Sequence, residues 1–73
     1  MAVKNPRMMI QLNGQQHEIG SEISVLELLE SLGLGGKPVV VELNEGAVFP
    51  RDYATAGITD GARVEIVMLA AGG

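Results

Sequence analysis

The sequence contains no cysteine and only one histidine, His17. The lack of cysteine excludes disulfide bonds, iron–sulfur clusters, thiolate zinc sites and a cysteine nucleophile. A single histidine also gives little basis for a His-rich metal site or a Ser-His-Asp triad. We therefore expect no metal site, and we interpret His17 as a surface residue of a strand.

Basic residues are few as well, with five Lys and Arg against nine Asp and Glu and a net charge of −4. Binding to the phosphate backbone of a nucleic acid requires clustered Lys and Arg. The basic residues here are scattered along the chain, so we expect no nucleic-acid partner. An acidic surface of this kind suits a basic protein partner better.

Long apolar runs are also missing, although 47% of the 73 residues are apolar. No segment approaches the roughly 20 apolar residues of a membrane helix. No apolar signal-peptide segment follows the charged start of the chain. The composition predicts one small globular domain that is cytoplasmic and makes no membrane contact.

Alternating apolar residues near the start predict a β-hairpin. Met8, Ile10 and Leu12 share one face of a first strand, because successive side chains of a strand point to opposite faces. The pair Asn13-Gly14 follows, and both residue types tolerate the positive φ angles of a tight hairpin turn. Residues 15–19 then form the return strand.

One amphipathic helix is predicted after this hairpin. Ser24 and Glu27 have the spacing of a capping box, in which each side chain bonds to the backbone N–H of the other residue. One apolar stripe at helical spacing is formed by Val25, Leu28, Leu29 and Leu32. Gly33 suits the position after the helix, where φ is positive. We expect a helix of about ten residues, too short to be stable alone in water.

Three further strands are predicted over residues 39–43, 47–49 and 63–69. A turn is expected at residues 44–46, and an irregular or 3-10 turn between residues 51 and 57. The order β-β-α-β-β-β predicts an α+β domain in which a mixed sheet packs on one helix. We place this domain at residues 8–69, between a flexible leader over residues 1–7 and a flexible tail over residues 70–73.

The predicted sheet has one face that the helix cannot cover. In the last strand, Val64, Ile66 and Met68 should face the helix, whereas Glu65, Val67 and Leu69 should face the other way. A single helix buries only one face of a sheet, so the second face must meet water or a partner. Besides polar residues, that face is expected to carry the apolar Met9, Val40, Val67 and Leu69.

Two glycines, Gly72 and Gly73, follow the last strand. The α-carboxylate of Gly73 is ionised at neutral pH and is a poor electrophile, so it would react only after activation, most simply as an acyl-adenylate formed with ATP. Glycine has no Cβ, and two glycines allow the backbone to enter a narrow active site. Four extended residues from Ala70 span about 13–14 Å, enough to reach the active site of a partner. Because the chain lacks cysteine, it could carry sulfur only as a thiocarboxylate on Gly73.

Five short sequence motifs are spread over most of the chain. They are residues 10–14 (IQLNG), 24–29 (SVLELL), 41–44 (VELN), 48–51 (VFPR) and 60–66 (DGARVEI), together with the terminal Gly72-Gly73. Their order and spacing resemble the ThiS family, the sulfur carriers of thiamine thiazole biosynthesis. The resemblance implies the ubiquitin-like β-grasp fold.

The resemblance also implies a carrier rather than an enzyme, with no permanently bound cofactor. An E1-like adenylating enzyme of the ThiF type would use ATP to adenylate Gly73, with Gly72 as the required neighbour. Sulfur supplied indirectly by a cysteine desulfurase would give the thiocarboxylate, which a thiazole synthase of the ThiG type would consume. The face with Val67 and Leu69, and the following Ala70 and Ala71, would contact these enzymes.

Two features depart from the usual pattern of that family. Many members lack a leader such as residues 1–7. Many also carry a bulky aliphatic residue just before the diglycine, where this chain has Ala70-Ala71. These departures concern the fit to partners rather than the carrier chemistry.

Other functions are compatible with the same pattern. One is the small subunit of molybdopterin synthase, and another is a carrier that serves cysteine or another sulfur metabolite. A ubiquitin-like modifier joined to lysine and a plain interaction domain are further alternatives. An acid–base role in an enzyme for Asp52, Asp60 or Glu65 is the weakest, since Asp60 precedes Gly61 in a turn and Glu65 alternates on a strand.

Overall fold

The computed structural model describes residues 7–69, which form seven strands, one α-helix and one 3-10 helix. The strands are β1 (Met8–Leu12), β2 (Gln15–Ile19), β3 (Ile23–Ser24), β4 (Val39–Leu43), β5 (Gly46–Val48), β6 (Gly57–Ile58) and β7 (Arg63–Met68). The helix α1 spans Val25–Ser31, and the 3-10 helix spans Pro50–Asp52. Of the predicted leader only Arg7 is described, and the predicted tail over residues 70–73 lies outside the described residues.

Five strands form one mixed sheet in the order β2-β1-β7-β4-β5. The last strand, β7, lies in the centre, parallel to β1 and antiparallel to β4. The mixed sheet with one helix confirms the predicted fold class. No helix within residues 7–69 is long and apolar enough to cross a membrane.

Two tight turns connect the antiparallel pairs at the two edges of the sheet. Asn13 and Gly14 have φ angles of 51° and 82°, and Asn44 and Glu45 have φ angles of 51° and 72°. Positive φ at both central residues matches the twist of a two-residue hairpin. Asn-Gly supplies this conformation at low cost, whereas Glu45 adopts it as an uncommon non-glycine case.

The helix begins as its capping box predicts. The Ser24 hydroxyl accepts from the Glu27 N–H at 3.0 Å, and the Glu27 carboxylate accepts from the Ser24 N–H at 2.8 Å. The helix spans seven residues rather than about ten, with Leu32 as its C-cap. Gly33 follows with a φ of 75°, which is the left-handed conformation expected after a helix.

The core lies between α1 and one face of the sheet. Its buried members come from α1, from the five strands β1, β2, β4, β6 and β7, and from the turn before β7. They are Ile10, Ile19, Val25, Leu28, Leu29, Val41, Ile58, Ala62, Val64 and Ile66. No charged or polar residue is buried among the described residues. The domain is therefore held by aliphatic packing on one side of the sheet.

The structure differs from the sequence expectations in four strands. The strands β3 and β6, which pair antiparallel through Ile23 and Ile58, were not predicted because two residues carry no period-two pattern. The strand predicted at 47–49 is observed at Gly46–Val48. The last strand ends at Met68 rather than at residue 69.

Met68 also differs from expectation. It was expected to face the helix with Val64 and Ile66, but its exposed fraction is 49%, against 0% for Val64 and 9% for Ile66. Alternation determines the face on which a strand residue lies, but it does not determine how far the core extends along the strand. Met68 is the last residue of β7, and the core ends before it.

Candidate functional site: the open face of the sheet

The candidate site is the face of the large sheet opposite α1, which we call the open face. Its two central strands, β4 and β7, pair Val40 with Val67 and Glu42 with Glu65. In each pair the two side chains lie on the same face, because directly opposite residues of paired strands share a face. The structure thus brings together the expected surface residues Val40 and Val67, next to two glutamates.

An apolar row crosses β4 and β7 at one end of this face and continues to the residue that follows β5. Val48 of β5 pairs with Val41 of β4, so the following residue, Phe49, lies in line with Val40 and then with Val67. The exposed fractions are 54% for Phe49, 43% for Val40 and 58% for Val67. We call Phe49, Val40 and Val67 the apolar row.

Phe49 is the residue of this row that the sequence analysis did not single out. Its ring is stacked against Arg51, whose guanidinium carbon lies 5.5 Å from the ring centroid. A cation over an aromatic face is attracted to it and helps to hold the exposed ring in place. The period-two alternation from Val48 could have assigned Phe49 to the open face, but only once the pairing of β5 with β4 was known.

Leu69 extends the apolar row toward the end of the chain. Its N–H donates to the carbonyl of Pro38 at 2.8 Å, which continues the ladder between β7 and β4. This bond keeps Leu69 in strand alternation with Val67, and its side chain is 49% exposed. Leu69 therefore lies at the apolar end of the open face. The other predicted site residues, Ala70, Ala71, Gly72 and Gly73, lie outside the described residues.

The neighbouring part of the face is acidic. Glu42 and Glu65 lie opposite each other, and Arg63 donates to Glu45 at 3.0 Å instead of to either of them. Together with the valines, these side chains line a shallow depression of about 360 Å³ formed by Val40, Glu42, Glu45, Arg63, Glu65 and Val67. The face is therefore divided into an apolar part and an acidic part.

The candidate acid–base residues do not converge. Asp60 accepts from the N–H of Met9 at 2.8 Å, and Asp52 lies 3.8 Å from Arg51. Glu65 faces Glu42 on the open face, and His17 is half-buried on β2 opposite Ile10. In the described region, no group of three or more His, Asp or Glu residues could hold a metal ion.

Comparison with known proteins identifies the family. The ThiS family matches residues 10–73 of this chain. The chain belongs to the ThiS family. A crystal structure of the thiamine biosynthesis protein ThiS from Geobacter metallireducens superposes with a TM-score of 0.79 at 28% identity, covering 90% of this chain and 100% of that one. The match confirms both the resemblance seen in the sequence motifs and the β-grasp fold.

A second similar protein is longer. It is a thiazole synthase from Paramagnetospirillum magneticum, which is 33% identical over 66 residues. The match covers 90% of this chain but only 20% of that protein. The ThiS family is a family of small sulfur carrier proteins of thiamine biosynthesis.

Proposed function

We propose that this chain is a sulfur carrier for thiazole formation in thiamine biosynthesis, with the sulfur held as a thiocarboxylate on Gly73. The observation that carries the proposal is the family match, which runs through residue 73 and so includes Gly72 and Gly73. The open face supports it, because Leu69, four residues before Gly73 in the sequence, extends an exposed apolar row suited to binding a partner.

The chemistry requires activation of the Gly73 carboxylate by a partner enzyme. A carboxylate oxygen attacks the α-phosphorus of ATP, and pyrophosphate leaves. Sulfide sulfur then attacks the carbonyl carbon of the acyl-adenylate, and AMP leaves with the bridging oxygen. If the sulfur arrives as a persulfide, the product is an acyl disulfide, which a second thiol must reduce to release the thiocarboxylate. Gly72 and Gly73 lack a Cβ that would hinder either attack.

Two enzymes are the proposed partners. An E1-like adenylating enzyme of the ThiF type would use ATP to form the acyl-adenylate, with a cysteine desulfurase as the indirect source of sulfur. A thiazole synthase of the ThiG type would take the sulfur, and the similarity to a thiazole synthase supports this partner. Both would contact Val67 and Leu69 on the open face and the following residues Ala70 and Ala71.

The test is intact-protein mass spectrometry. The chain is incubated with ATP, an activating enzyme from the same source, a cysteine desulfurase and cysteine. We expect a mass gain that corresponds to the exchange of one oxygen for one sulfur, located on Gly73 by fragmentation. A variant that lacks Gly73 should keep the thermal unfolding midpoint, because the observed core is formed by residues 10–66, but it should gain no sulfur.

Two results would contradict the proposal. No mass change with a competent activating enzyme would exclude a thiocarboxylate carrier. Stable adducts to lysine side chains of other proteins would instead indicate a ubiquitin-like modifier.

A further inference from the structure

The open face presents two side-chain rows of different character. The apolar row contains Val40 and Val67, and the adjacent row contains Glu42 and Glu65, two residues away along the same strands. Two residues of a strand span about 7 Å, so the glutamates lie one such step from the valines. The two rows lie side by side on the same face of one sheet, so a single partner surface can cover both.

Within the part of the chain that the structure describes, neither glutamate of this pair forms an ion pair. Among residues 7–69, the ion pairs are Arg7 with Glu18, Arg51 with Asp52 and Arg63 with Glu45, and none includes Glu42 or Glu65. Arg63 is the basic residue on the same depression, and its guanidinium is engaged by Glu45 at 3.0 Å. The acidic row therefore has carboxylates available to an external donor.

The pairing of these glutamates is unfavourable in the isolated domain. Directly opposite residues of this ladder have Cα atoms about 5.5 Å apart, and like charges at that position destabilise a sheet. A cation placed between the two carboxylates would convert this repulsion into two charge-assisted hydrogen bonds. Arginine suits the position best, since its planar guanidinium has several donors and can reach both carboxylates at once.

We propose that the open face docks a protein surface that combines an aliphatic or aromatic ridge with an arginine or lysine about 7 Å from it. The ridge covers the apolar row, and the cation enters between Glu42 and Glu65. The inference rests on the proposed function for the choice of partner, which is the surface of the activating enzyme. Nucleic acid is not the occupant, because its phosphates would meet carboxylates.

The test compares two double variants that each remove two negative charges. In the first, Glu42→Gln and Glu65→Gln neutralise the acidic row while nearly preserving its shape. In the matched control, Glu22→Gln and Glu30→Gln neutralise two exposed carboxylates that lie before β3 and on α1, away from the open face. Binding of each full-length chain to the activating enzyme is measured by titration calorimetry at low and at high salt.

We expect the open-face variant to bind at least about tenfold more weakly than the unmodified chain, with a weaker dependence on salt. The control should bind within about twofold of the unmodified chain, because a local contact does not depend on the overall charge. The thermal unfolding midpoint of the open-face variant should equal or exceed that of the unmodified chain, since the variant removes a repulsion.

The outcomes separate this inference from the proposed function. If the enzyme forms the thiocarboxylate but binds the open-face variant as tightly as the unmodified chain, the docking inference is wrong and the carrier function stands. Equal weakening in both double variants would also overturn the inference, since it would indicate general charge attraction. An activating enzyme that neither binds nor modifies the unmodified chain would overturn both.

Discussion

Asn13 and Asn44 each combine a turn conformation with hydrogen bonds to the central strand. Asn13 accepts from the N–H of Ile66 at 2.7 Å through its Oδ1 and donates to the carbonyl of Ile66 at 3.2 Å through its Nδ2. Asn44 accepts from the N–H of Arg63 at 2.9 Å. Asn13 follows β1, and Asn44 follows β4. In both cases the side-chain amide makes hydrogen bonds to the backbone of β7 at the point where the neighbouring strand ends. The Asn-Gly pattern predicts the first turn, but the contact with Ile66, 53 residues away, depends on the tertiary fold.

We predict that Asn13→Gly lowers the free energy of unfolding by about 1–3 kcal/mol, because it leaves both backbone groups of Ile66 without partners in a partly buried position. Glycine adopts the positive φ without strain, so the variant isolates the loss of the amide. Urea unfolding monitored by circular dichroism measures the change.

Asn44→Gly is the matched control for this prediction. It removes a single hydrogen bond at an exposed turn of the same φ, and we expect a loss of only about 0.5–1.5 kcal/mol. Equal losses in the two variants would show that the Asn13 amide contributes no more than an exposed turn contact.

The helix α1 shows how local and distant residues together stabilise one element. Its capping box is local, but the N–H of Val25 donates to the carbonyl of Ala56 and the N–H of Leu26 donates to the carbonyl of Tyr53, both at 2.9 Å. The first N–H groups of a helix have no partner within the helix, and here the loop around the 3-10 helix supplies the acceptors. Seven residues alone would be too few for a stable helix in water.

Ser24→Ala should lower the free energy of unfolding by about 1 kcal/mol, since the N–H of Glu27 loses its acceptor. Ser24→Thr should retain most of the stability, because its hydroxyl can accept the same bond. Ser21→Ala, an exposed serine before β3, serves as the control and should change stability by less than about 0.5 kcal/mol. Urea unfolding of the three variants is the measurement, and a Ser24→Ala value as small as that of Ser21→Ala would refute the role of the cap.

The whole molecule is asymmetric, with a covered face and an open face on one sheet. The α-helix and the buried aliphatic residues lie on one side, and the apolar row with the glutamate pair lies on the other. Successive residues of β7, and Leu69 after it, therefore alternate between the face that α1 covers and the open face. Met68 and Leu69 make this comparison direct, because each is 49% exposed and they point to opposite faces.

We predict that Leu69→Glu weakens binding to the activating enzyme by at least about tenfold, because it places a charge in the apolar contact. Met68→Glu, with the same exposure on the opposite face, should bind within about twofold of the unmodified chain. Titration calorimetry measures both, and circular dichroism should show folded proteins with similar unfolding midpoints. If Met68→Glu impairs binding as much as Leu69→Glu, the contact is not confined to the open face.

The sequence by itself determined the features that depend on neighbouring residues. The hairpin turn at Asn13-Gly14, the Ser24–Glu27 capping box and the positive φ of Gly33 follow from local chemistry, and the structure confirms them. The order of strands and helix predicted an α+β domain with one uncovered face, because a single amphipathic stripe covers only one side of a sheet.

Only the tertiary structure decided which residues meet across the sheet. The central position of β7, the alignment of Phe49 with Val40 and Val67, the bonds from Asn13 to Ile66 and the exposure of Met68 all depend on register between segments far apart in the chain. Strand alternation assigns a residue to a face, but the partner strand and the extent of the core decide what that residue contacts. For that reason the motif at residues 48–51 was visible in the sequence, while the place of Phe49 in the apolar row was not.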